Sequence, residues 1–152
     1  MQKYAVLCGS APDGYRQLKV EKIYDFLTSE SDWRVPEKNI VMFPNGVNEL
    51  FLESVLNGVF DEAAEDDGEV LLYFCAKAES DLYAELSDSA CAGVEVVRLG
   101  ENEIRKDVIA YYAEKLADML GVKCRVMYEA DSASISAESI GWEKMNKEVA
   151  KC

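Results

Sequence analysis

Histidine is absent from all 152 residues, which removes the commonest general base, the commonest metal ligand and every Cys-His or Ser-His dyad. Basic charge is scarce as well. Sixteen Lys and Arg stand against 29 Asp and Glu, a formal net charge of −13, and such a surface repels phosphate backbones and anionic lipids. Nucleic acid is therefore not an expected partner. Long apolar runs are missing too: none approaches the ~20 residues of a membrane span, so no membrane partner is expected. The opening segment passes from a short apolar stretch directly into a turn and reads as a strand, not a secretory signal. Cysteines are few and odd in number (Cys8, Cys75, Cys91, Cys124, Cys152), without the paired short spacing of zinc ligands. Reduced thiols in a cytoplasmic protein, with no metal and no other cofactor, are the expectation.

What is present is an ordinary globular composition, 49% apolar and 30% charged, at a length that fits one domain over 1–152. The stretch Glu69 to Ser80 organises the rest. Val70 to Phe74 is a continuous apolar run that gives way to small and charged residues, the pattern of a buried parallel strand ending at an open rim. Tyr4 to Cys8 and Asn39 to Phe43 predict two further strands, each closed by Gly, Pro or Asn. Val20, Ile23, Tyr24 and Leu27 predict a helix between them, with its apolar residues at i, i+3, i+4 and i+7. From Val47 the helical period returns, with Leu50, Phe51, Val55, Leu56, Val59, Phe60 and Ala63 assigned to one buried side.

Residues 79–100 contain only short apolar pieces and predict a small hairpin or flap over the rim. A third helix, opened near Glu101 and Asn102, carries Ile104, Val108, Tyr112 and Leu116 and ends at Gly121. Val122 to Tyr128 alternates with Lys123 and Arg125, which predicts a strand at or near a sheet edge guarded by charge. A last helical segment is expected over about 137–149. The order predicts an α/β fold, a three-layer α/β/α sandwich with a mainly parallel sheet.

Several segments carry a family resemblance. Tyr4-Ala-Val-Leu-Cys-Gly-Ser10 followed by Tyr15-Arg16, Pro36-Glu-Lys-Asn-Ile-Val-Met42, and Asp66-Asp-Gly-Glu-Val-Leu-Leu-Tyr-Phe74 resemble, in order and spacing, the large-subunit half of the caspase and legumain cysteine peptidases. The resemblance implies a caspase-like sheet, with a catalytic histidine at the end of the third strand and a cysteine at the end of the fourth. Here those positions hold Ala76 or Lys77 and Asp131 or Ser132. Neither half of the dyad is present, so the resemblance implies a pseudoenzyme. Asp88-Ser-Ala-Cys-Ala-Gly93 looks like the nucleophile motif but follows no apolar strand, and Cys91 reads as a loop thiol.

The candidate ligand-binding residues are thus Ser10, Arg16, Cys75, Lys77, Ser80, Asp131 and Ser132, all near strand ends, where open α/β sheets gather their ligands. In the legumain-like loop Arg16 resembles an arginine that holds an acidic group; the plainer reading of the residue itself is a surface ion pair with one of many nearby acids. Glu129 and Asp131 form too short an acidic pair for a metal site and are expected to be solvated. Two functions remain open. One is a binder of a peptide, an acidic ligand or a partner protein, acting as a monomer or weak dimer. The other is a hydrolase using Ser10, Ser132 or Cys75 as nucleophile with Lys77 as base.

Overall fold

The chain's structure is a computed structural model that describes residues 2–10, 18–29, 33–88, 90 and 93–130. Four strands form one parallel sheet: β1 (Lys3–Cys8), β2 (Ile40–Phe43), β3 (Glu69–Ala76) and β7 (Lys123–Ala130), in the order β2-β1-β3-β7. The register runs Tyr4 beside Val70 and Cys8 beside Phe74, then Val70 beside Cys124 and Ala76 beside Ala130. All carboxyl ends therefore face the same way. The interior strands β1 and β3 are buried along their length, as parallel strands covered on both faces must be.

Each face has its own apolar layer. On one, α1 (Leu18–Thr28) sets Val20, Ile23 and Leu27 against Ala5, Leu7, Leu71, Tyr73 and Met127. On the other, α2 (Glu49–Glu65) sets Leu52, Leu56, Val59 and Phe60 against Tyr4, Val6, Val70, Leu72 and Phe74. The second layer also receives α3 (Lys106–Ala110), which continues through a π-helical stretch (Tyr111–Leu116) into α4 (Ala117–Leu120). Gly121 closes that helix in the left-handed conformation, as expected.

Some expectations need correction. Phe51 and Leu50 were assigned to the buried side of the second helix, yet they are 55% and 80% exposed. The first turn is capped by Asn48 accepting from the Phe51 amide at 2.8 Å; the buried stripe runs through Leu52, Leu56, Val59, Phe60 and Ala63, and at 3.6 residues per turn Leu50 and Phe51 fall roughly 120–140° from its centre. The segment expected as a small hairpin or flap does contain an antiparallel pair, β4 (Ala84–Glu85) with β5 (Glu95–Leu99), which β6 (Asn102–Arg105) extends to a three-stranded sheet. Val96, Val97, Leu99 and Ile104 are fully buried, and Arg105 donates to Glu49 at the start of α2 at 2.7 Å. Ile104 thus belongs to a strand, and the third helix begins at Lys106. The strand β3 extends two residues past Phe74, and β7 two past Tyr128, because each pairs with the other to the end. The segment 137–149 lies outside the described residues.

Two glycines of α2 and its exit contrast. Gly68 is buried, and a Cβ there would lie 2.8 Å from the Gln2 carbonyl oxygen and 3.0 Å from the Tyr4 ring. Gly68→Ala must therefore push the start of β1 away, and a loss of about 1–3 kcal/mol in unfolding free energy is expected by urea titration. An unchanged midpoint would contradict the packing of this corner. Gly58, in the interior of α2, has nothing within 4 Å of such a Cβ. Glycine there costs the helix about 1 kcal/mol relative to alanine, and no contact within the fold requires it.

Candidate functional site

The carboxyl rim is built by the ends of β1, β3 and β7. Gly9 leaves β1 still tied to the sheet, its amide donating to the Phe43 carbonyl at 2.8 Å. Next to it Ser10 is 5% exposed, and its Oγ has no hydrogen-bond partner among the described residues. A buried hydroxyl left unsatisfied is uncommon and costly. At the end of β3, Cys75 and Ala76 are fully buried, whereas Lys77, Ala78, Glu79 and Ser80 are exposed. The chain turns there through a 3-10 turn, Glu79–Asp81. Extension of β3 thus draws Cys75 inside the sheet, and the accessible rim begins at Lys77.

Beneath the rim lies a buried polar group on the α1 side. The Tyr73 hydroxyl donates to Glu129 Oε2 at 3.0 Å, and Glu129 is 3% exposed. Burial, followed by the neighbouring Cys75 and Glu129, pushes the Tyr73 phenol well above its ordinary range. The expectation of a solvated Glu129 is corrected by this contact. Two residues after buried Met127 on the same strand, Glu129 lies on the α1 face of the sheet. The tyrosine inside an otherwise aliphatic run was the signal that a polar partner had to exist.

On the opposite face, Phe74 stacks on Tyr128 with ring centroids 5.6 Å apart. Lys106 places its ammonium 5.2 Å from the centroids of both Tyr128 and Tyr83, joining the start of α3 to the turn after β3 through cation–π contacts. Arg16, Cys91, Asp131 and Ser132 lie outside the described residues. Of the expected site residues, the structure therefore brings Ser10, Cys75, Lys77 and Ser80 to the carboxyl end of the sheet. It gives Cys75 no access to solvent. Among the described residues no cluster of three or more acidic or thiol groups could hold a metal, and no helix is long and apolar enough to cross a membrane.

The buried thiols and phenols share one consequence. Burial raises the Cys8 thiol above its ordinary value, raises Cys124 to about 12 against the opposing pull of Arg125, and raises Tyr128 to about 12. Tyr4 reaches about 12 through burial and its hydrogen bond to Asp66. In every case the unfolded chain releases the proton first, so the associated stability is fully present below about pH 8.5, where free thiols begin to ionise, and is lost as pH rises toward 12. Urea midpoints should be level from pH 7 to about 8.5 and fall steadily above it. A flat profile to pH 11 would contradict the burial of these groups.

No family model matches the chain, and no curated protein or solved structure is significantly similar to it.

Proposed function

We propose that this chain is a caspase/legumain-like domain without peptidase chemistry, which works by binding a peptide, an acidic ligand or a partner protein at its carboxyl rim. The observation that carries the reading is the end of β3. There a buried Ala76 and an exposed Lys77 stand where the resemblance would put the catalytic histidine, in a chain with no histidine at all. The strand topology supports it. The third and fourth parallel strands, β3 and β7, lie side by side and in register to their ends, so groups carried just beyond Ala76 and Ala130 would face one ligand. Lys77 supplies an accessible cation on a protein that is otherwise strongly acidic, and a carboxylate is the group it would hold.

The second reading, a hydrolase of different chemistry, is favoured by the unpartnered Ser10 hydroxyl. Against it, a lysine base needs a desolvated setting, and Lys77 is exposed. The nucleophile role for Cys75 would require access that full burial denies.

Two measurements separate the readings. Anisotropy titrations with fluorescein-labelled peptides carrying a central aspartate should show saturable binding to the full chain, weakened about tenfold or more by Lys77→Glu. Absence of binding, or indifference to Lys77→Glu, would overturn the rim as a binding site. A fluorophosphonate probe should leave Ser10 unmodified, and stoichiometric labelling that is lost in Ser10→Ala would establish the hydrolase instead.

A further inference from the structure

The edge of the parallel sheet opposite β7 carries a feature that the rim does not use. Strand β2 is the end of the parallel sheet and has no neighbour on its outer side among the described residues. Its sequence, Ile-Val-Met-Phe, contains no charge and no proline, and all four residues are at least partly exposed. Edge strands are ordinarily blunted by charge, proline or a covering segment, because their unpaired amides and carbonyls invite another strand. Among the described residues, no strand guards this one.

Between β2 and α2 runs an open groove of about 260 Å³, walled by Tyr4, Val41, Val55 and Val59, with Gly58 on its helical side. Because α2 returns antiparallel to β2, the groove changes character along its length. Beyond its Val41–Val55 wall, one step toward the end of β2 and the start of α2, stand Phe43 and the exposed Phe51, whose rings sit edge to face at 5.8 Å. Near the start of β2 it opens into a polar recess of about 460 Å³, where Glu62, Glu65 and Asp66 outnumber the single base Lys38. Gly58 is the second observation. In mid-helix it weakens α2, it is required by no packing contact, and the space its missing side chain leaves open is the groove itself.

We propose that this groove is a docking site for an extended segment of a partner protein that combines apolar and basic residues and adds as a strand to the outer edge of β2. Main-chain hydrogen bonds to β2 supply affinity, and alternate side chains on the α2 side supply selectivity. Apolar side chains lie against Val41, Val55 and the Phe43–Phe51 pair; a lysine or arginine lies at the Glu62–Glu65 end. Charge complementarity decides between occupants. A second copy of this chain brings a net charge of −13 and its own acidic recess, so it is repelled where a basic segment is attracted.

The test selects a random linear peptide library on the full chain and measures the enriched peptides, fluorescein-labelled, by anisotropy. Expected are sequences with alternating apolar and basic residues. Their affinity should fall about tenfold or more in Gly58→Trp, fall also in Glu62→Lys with Glu65→Lys, and be unchanged in Lys77→Glu. Bound peptide should slow hydrogen exchange at the amides of 40–43, a readout that separates strand addition from loose adhesion. Gly58→Ala, which should raise the melting temperature, provides a variant certain of its fold while narrowing the groove, and it should weaken the same peptides. No enrichment, equal binding to Gly58→Trp, or loss only in Lys77→Glu would overturn the proposal. So would a concentration-dependent dimer in sedimentation that Gly58→Trp dissolves, since that result would make a second copy the occupant.

Discussion

Leu71→Ala is expected to lower the unfolding free energy by about 2–5 kcal/mol, the range for truncating a fully buried leucine when the surroundings close only partly around the cavity. Leu71 is 1% exposed at the centre of β3, on the α1 side, flanked by Ala5 on β1 and Arg125 on β7. Strands on both sides prevent the site from collapsing. Phe51→Ala is the matched control. Its ring, assigned to the core by periodicity, is 55% exposed and touches Phe43 edge to face, a contact worth about 0.5–1.5 kcal/mol. Equal losses in the two variants, measured by urea unfolding at pH 7, would mean that Phe51 is buried in the native state. For a domain of marginal stability, about 5–15 kcal/mol in total, the Leu71 variant is near the limit of folding.

Tyr73→Phe carries the second large effect, about 1–3 kcal/mol, the cost of withdrawing a donor from a buried polar group. Shape is preserved, so almost all of the loss comes from Glu129, which is 3% exposed and accepts the Tyr73 hydroxyl at 3.0 Å. Tyr111→Phe, which removes the hydroxyl of a ring that is 46% exposed, should leave the midpoint unchanged. If Tyr73→Phe were equally silent, the Tyr73 hydroxyl would not be what holds Glu129 in the native state. That would take the Tyr73–Glu129 pair out of the polar floor of the rim.

The same residues explain what the sequence made legible. Continuous apolar runs with closing turns marked β1 and β3, and the stripe of Val20, Ile23 and Leu27 marked α1, because burial on both faces of a parallel sheet leaves no other pattern. Leu50 and Phe51 misled because they are apolar and precede the stripe directly, although at 3.6 residues per turn they point roughly 120–140° away from Leu52, Leu56, Val59, Phe60 and Ala63. The small sheet of Val96, Val97, Leu99 and Ile104 was underestimated because its strands are too short for alternation to distinguish them from loops. Glu129 and Cys75 were placed at an open rim because strand ends were drawn at the last large apolar residue. Pairing between β3 and β7 carries both strands two residues further and buries both groups. The π-helical stretch Tyr111–Leu116 has no sequence pattern of its own. For Ser10, position at a strand end was readable, but its lack of a hydrogen-bond partner was not.

The proposed function is a caspase/legumain-like sheet used without peptidase chemistry. Its most direct measurement is hydrolysis by the purified full chain of fluorogenic peptides with Asp, Asn, Arg or Lys before the scissile bond, run beside Cys75→Ala and Cys91→Ala. Losing one member of a catalytic dyad removes orders of magnitude in turnover, and both members are replaced at the positions the resemblance marks, Lys77 and Asp131 or Ser132. The account predicts release indistinguishable from buffer for all three proteins and every substrate. Turnover that scales with the concentration of the wild-type chain and vanishes in either cysteine variant would contradict it.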